Sequence, residues 1–205
     1  LVETGRQTKN NSHSTSLGAS LDRGLRGAYD FTLTQNLRLT DQENDMFSWM
    51  VQTAYSRPLT ERLRAGLIAS VGYDLPDEGS EMMNQRLSAF ISGPLGNKLS
   101  YNLTAGVSFR QFLDTSADTS VSPLASLNLT YQLLQRTSLG VGISHDNSTS
   151  LFTDQYTENT SAQGWIRQEI SDRWSLSING GYRMVSYRTT FASNPTVRED
   201  NVGFV

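Results

Sequence analysis

The chain of 205 residues has no cysteine, which excludes a disulfide scaffold, a thiolate zinc site and a cysteine nucleophile. No segment approaches the ~18 consecutive apolar residues of a membrane-spanning helix. Charge of one sign is scarce as well. The net charge is -3, with no cluster of Lys or Arg, so nothing favours nucleic acid as a partner. Only two histidines are present: His13 in a polar N-terminal stretch, and His145 in Ser144-His145-Asp146, where a strand is expected to enter a loop. The chain starts at Leu1 without a basic and apolar leader pattern, as a mature or excised segment would.

What the sequence does contain is a pattern of period two. From Leu99 to Phe109 one face reads Leu99, Tyr101, Leu103, Ala105, Val107, Phe109, and the other reads Ser100, Asn102, Thr104, Gly106, Ser108, Arg110. The same alternation runs through Leu63 to Tyr73, Ala125 to Leu133 and Trp174 to Met184. Successive side chains of a strand point to opposite faces, so this spacing predicts strands with one apolar and one polar face. None of these segments supplies the i, i+3, i+4 spacing of an amphipathic helix.

Two kinds of connection alternate. Short turns are expected at Thr34-Gln35-Asn36, Pro58-Leu59-Thr60-Glu61, Pro94-Leu95-Gly96-Asn97, Leu134-Gln135-Arg136 and Ser171-Asp172. Longer polar loops are expected from Asp41 to Asp45, Asp74 to Glu81, Asp114 to Ser120, His145 to Gln155 and Thr189 to Asn201. One rim of the structure is therefore trimmed and the other elaborated. The segments SRPLTERL, SGPLGNKLS, YQLLQRTSL and QEISDRWSL share an apolar residue, a polar turn and a basic residue. They read as a hairpin repeat of roughly 40 residues. A propeller blade has a similar length, but the signatures of the common propeller repeats are absent.

A soluble sheet turns its apolar face inwards, whereas a strand in a bilayer turns it to lipid. Three features favour the bilayer. The strands are long, about ten to fifteen residues against ~5–6 in soluble domains. Aromatic residues stand near both ends of the apolar face: Tyr55, Tyr101, Tyr131 and Trp174 by the short turns, and Phe47, Tyr73, Phe109 and Tyr182 by the long loops. Phe47 to Tyr55, Tyr101 to Phe109 and Trp174 to Tyr182 are each eight residues apart, a climb of about 20 Å for a tilted strand. Amphipathic rings favour the two interfaces of a bilayer. Third, the opposite face is rich in Ser, Thr, Asn, Gln, Gly and Arg. The alternative is a large soluble sheet with one solvated face, its aromatics filling a core.

Candidate chemistry is sparse. His145 and Ser144 are neighbours on one strand and point to opposite faces, so no catalytic pair is expected and no enzyme is read from the sequence. The loop carboxylates, among them Asp74, Asp77 and Glu78, lack the patterned oxygen spacing of a calcium loop, and no metal or cofactor is expected. The arginines are more informative. Arg64, Arg86, Arg110, Arg167 and Arg183 alternate with the apolar set, so each should point into the interior. Rings of arginine favour anion passage. The alternative is that each pairs with an interior acid such as Glu169 and fills a narrow barrel.

In style, TERLRAGLIASVGYD, NKLSYNLTAGVSFRQF and SDRWSLSINGGYRMVSYR resemble the bacterial outer-membrane β-barrel superfamily, including the loosely defined porin-like families. The resemblance covers about Ser14 to Val205. It implies an all-β, antiparallel up-and-down transmembrane barrel of about 10–12 strands, with residues 1–13 a polar, mobile or periplasmic segment. It also implies localisation in the bacterial outer membrane. The partners implied are membrane lipid, lipopolysaccharide, and other outer-membrane or periplasmic proteins. The expected function is a passive pore or export channel for small polar solutes or polymer. The alternatives are a non-conducting scaffold or adhesin-like barrel, and a soluble β-sheet binding protein. The segment Arg198 to Val205 reads as a strand just beginning, so the barrel is expected to be incomplete at its C-terminal side.

Overall fold

Long runs of alternating apolar and hydroxylated residues leave little choice but extended chain, and the short turns place consecutive runs side by side. The computed structural model describes residues 10–40, 45–77, 80–113, 119–149, 155–189 and 198–204. It contains β1 (Asn10–Asp22), β2 (Ala28–Thr40), β3 (Met46–Pro58), β4 (Arg64–Pro76), β5 (Met82–Leu95) and β6 (Leu99–Phe112). These are followed by β7 (Ser120–Leu134), β8 (Thr137–Thr149), β9 (Gln155–Ser171), β10 (Trp174–Thr189) and β11 (Arg198–Phe204). Every strand pairs antiparallel with its sequence neighbours in one sheet, in the order β1 to β11. Ten are long; β11 has 7 residues. The only helical element among the described residues is a single 3-10 turn, Gly24–Arg26.

Three expectations need correction. Thr34, Gln35 and Asn36 do not form a turn. They lie inside β2, opposite Met50, Trp49 and Ser48 of β3. The reversal falls at residues 23–27, where Gly24 and Gly27 adopt φ of 60° and 109°, a region most residues avoid. His145 is not at a loop entrance but within β8. The sheet is also not a closed barrel: among the described residues β1 and β11 are not hydrogen-bonded to each other. Eleven up-and-down strands leave the first and last running in the same direction, so antiparallel closure requires an even number. Separately, β1 begins at Asn10, so His13 pairs with Leu37 rather than lying in a segment apart. Residues 1–9 and the centres of the long loops lie outside the described residues.

The register carries a steep stagger. The row of paired residues that starts at Asp22, the short-turn end of β1, passes through Ser56, Phe90 and Ser126 to Ser161 in β9. Ser161 stands ten residues from the short-turn end of β9 at Ser171. Ten residues at ~3.3 Å set against eight strand spacings of ~4.8 Å correspond to a tilt of about 40° when the short turns are level. Closed barrels tilt their strands by ~35–45°.

Burial is inverted relative to a soluble sheet. Among the described residues three hydrophobic ones are buried, Met82, Phe112 and Tyr187, against ten polar or charged ones including Ser70, Ser108, Arg110 and Ser122. Along β6 the apolar positions Leu103, Ala105, Val107 and Phe109 are exposed, while Ser108 and Arg110 of the opposite face are buried. In β4, Leu67, Ala69 and Val71 are exposed, and Ser70 and Gly72 are buried. Water-soluble monomers rarely leave contiguous apolar patches of this extent uncovered.

Close strand approach on the polar face depends on Gly106. A Cβ there would stand 2.7 Å from the Ser88 Cα and would strike the Leu87 carbonyl oxygen. These are backbone atoms that cannot swing aside. Gly106→Ala is expected to destabilise the fold by about 1–3 kcal/mol, measured as a shift in the urea unfolding midpoint at unchanged slope.

Candidate functional site, the polar face

The cross-strand register brings all five arginines singled out from the sequence to one face. Arg64, Arg86, Arg110, Arg167 and Arg183 stand opposite Ser92, Ser70, Asn84, Ser177 and Ser161 respectively, all polar-face positions. They do not form one ring. Arg64 lies near the short turns, where its guanidinium donates to Ser56 Oγ at 3.3 Å. Arg167 sits beside Glu169 at 3.9 Å with both side chains about half exposed, so that pair contributes little in water. Arg183 is exposed. Only Arg86 and Arg110 converge, on the long-loop half of the face.

Their positions follow from the pairing. Arg86 of β5 faces Ser70 of β4 and Ser108 of β6, and Ser108 faces Ser122 of β7. One step towards the long loops, Asn84 faces Arg110. The two arginines are therefore diagonal neighbours, with Cα atoms ~7–8 Å apart. Small serines on either side leave room for the long side chains to lie flat. Arg110 is 1% exposed, and its Nε donates to Asn84 Oδ1 at 2.8 Å. The Asn84 amide in turn donates to Asp74 Oδ2 at 2.6 Å. This relay from cation through amide to carboxylate lets a guanidinium remain charged away from water.

The sheet curls around this polar face. Arg86 Nη2 donates to the main-chain carbonyl of Asn147 in β8 at 2.8 Å. Three strand spacings of a flat sheet span about 14 Å, further than one arginine side chain reaches. The short-turn half is more open: Asn102 and Asn128 of the same face are exposed. The polar interior thus narrows towards the long loops.

The aromatic residues named from the sequence occupy the opposite face. Tyr55, Tyr101, Tyr131 and Trp174 fall within three residues of their short-turn strand ends, whereas Phe47, Tyr73, Phe109 and Tyr182 lie eight to eleven residues from theirs. Sequence spacing missed two that join them. Tyr29 packs on Tyr55 with ring centroids 4.8 Å apart, and Trp49 on Tyr73 at 6.0 Å. Cross-strand neighbours are invisible until the register is known. The tyrosine tips are engaged: Tyr55 donates to the Arg26 carbonyl at 3.2 Å, and Tyr73 donates to Glu81.

His145 and Ser144 are on opposite faces. His145 Nδ1 pairs with Thr160 Oγ1 at 2.9 Å, and Ser144 Oγ with Ser161 Oγ at 2.8 Å. Comparison with protein-family models, with curated proteins and with solved structures gave no match.

Proposed function

We propose that the chain forms the wall of a transmembrane β-barrel in a bacterial outer membrane and acts as a passive pore or export channel for small polar solutes. The observation that carries this reading is the inversion of burial: the apolar face is exposed, and the residues that are buried are mostly polar. In water that arrangement leaves the hydrophobic effect unused. In a bilayer it matches apolar side chains to lipid and polar ones to an aqueous interior. The two aromatic levels, about eight residues apart on strands tilted by about 40°, enclose a band of about 20 Å, near the ~25 Å apolar band of such barrels. Completing the wall in antiparallel fashion takes an odd number of further strands. Lipid and lipopolysaccharide are then the immediate partners.

The arginine-bearing interior gives the pore a sign. Protein reconstituted into planar bilayers is expected to conduct, with reversal potentials in a salt gradient that favour anions. A silent bilayer supports the second reading, a non-conducting scaffold or adhesin-like barrel, which the buried Arg110 relay and the Arg86 contact favour. Reversal potentials that favour cations contradict the role given to the arginines. Monodisperse, folded protein without detergent would overturn both readings in favour of a soluble sheet.

A further inference from the structure

We infer that residues 146–149 of β8, with the β9 residues paired to them, form an inward-leaning flap, latched over the polar face by Arg86. β7 keeps its pairing with β6 as far as Ser120, and β8 keeps its pairing with β9 as far as Thr149. Between β7 and β8, however, pairing stops at Ala125 and His145. Residues 146–149 of β8 have therefore parted from β7 while staying paired with β9. Pro123 stands two residues beyond the last β7–β8 pair. Having no N–H, it cannot donate to a ladder, so the sequence weakens the β7–β8 seam where it opens.

The parted end leans towards the interior. Arg86 reaches the Asn147 carbonyl from three strands away, and in doing so it crosses the row of Ser108 and Ser122, which are 0% and 2% exposed. Asp146, next to Asn147, is exposed and forms no ion pair with Arg86, so a single hydrogen bond joins the two side-chain-to-backbone partners. Closure has a cost. Ser108 Oγ, Ser122 Oγ and Asn147 Oδ1 are buried with no hydrogen-bond partner among the described residues. Burying each such group unpaired costs about as much as one hydrogen bond to a charged group returns. The Arg86 bond therefore holds β8 in against an opposing cost, and without it β8 returns towards β7. In a conducting barrel the folded-in form narrows the passage. That consequence rests on the pore reading, whereas the latch does not.

The chain's lack of cysteine makes spin labelling direct. Labels at Leu87→Cys and Asp146→Cys report flap to wall, and labels at Leu87→Cys and Leu33→Cys report the wall alone. In the native background the first pair is expected to give one short distance. Arg86→Ala, and Arg86→Met, which keeps the stem but has no donors, are expected to make a longer distance the main population. Arg86→Lys, which retains a donor, is expected to keep the short one. The wall pair should be unchanged in every variant that folds. An unchanged flap distance in either donor-free variant with an intact wall distance would overturn the latch. Because distances are read independently of current, failure of the pore reading and failure of the latch are separable.

Discussion

Leu103→Arg is expected to cost about 2–4 kcal/mol of stability in a lipid bilayer, the range found for arginine near the midplane on the lipid face of a barrel. Leu103 is 44% exposed and lies on the apolar face between Tyr101 and Phe109. In a water-soluble sheet a leucine so exposed tolerates arginine within about 0.5 kcal/mol. The neighbouring Asn102→Arg supplies the contrast. Asn102 is exposed on the polar face, and there the same new charge is expected to be nearly neutral. Urea titration of both variants folded into vesicles, followed by tryptophan fluorescence, gives the two free energies. Equal and small effects at 102 and 103 would remove the bilayer from the account.

The second large effect is expected at Asn84. Leucine has the same branched arrangement of heavy atoms as asparagine, and in an ordinary core the exchange would favour burial. Here Asn84 links Arg110 to Asp74 through bonds of 2.8 and 2.6 Å. Asn84→Leu removes a hydrogen bond from each of two charged groups, one of them on an arginine that is almost wholly buried. Each such bond contributes about 1.5–3 kcal/mol, and part of that is recovered where water reaches Asp74. A net loss of about 2–3 kcal/mol is expected, read from the unfolding midpoint. Asn84→Gln, which keeps both functions on a longer stem, should lose less. A stabilised Asn84→Leu protein would mean that the relay does not hold Arg110.

Much of the architecture was legible because strand faces alternate whatever the tertiary setting. Four of the five short turns fell where apolar alternation breaks at Pro58, Pro94, Leu134 and Ser171, and parity alone puts the five arginines and the eight aromatics on opposite faces of the sheet. The remaining turn was misplaced because Thr34-Gln35-Asn36 has the polarity of a turn while β2 carries polar residues on its interior face. The glycines that reverse the chain, Gly24 and Gly27, sit ten and seven residues earlier. His145 was placed at a loop entrance because Asp146 and Asn147 look like loop residues, yet β8 continues through them to Thr149.

The sequence by itself determined that this chain is β, that its strands have unlike faces, and which residues belong to each. Those are local properties, fixed by the two-residue period of extended backbone. Only the tertiary structure decided what depends on register and curvature. It set the tilt of about 40°, the pairing of Tyr29 with Tyr55, the convergence of Arg86 and Arg110, and the reach of Arg86 to Asn147. Sequence parity assigns a side chain to a face but not to a height on it. Two arginines on one face become neighbours or strangers according to how far each strand slides past the next.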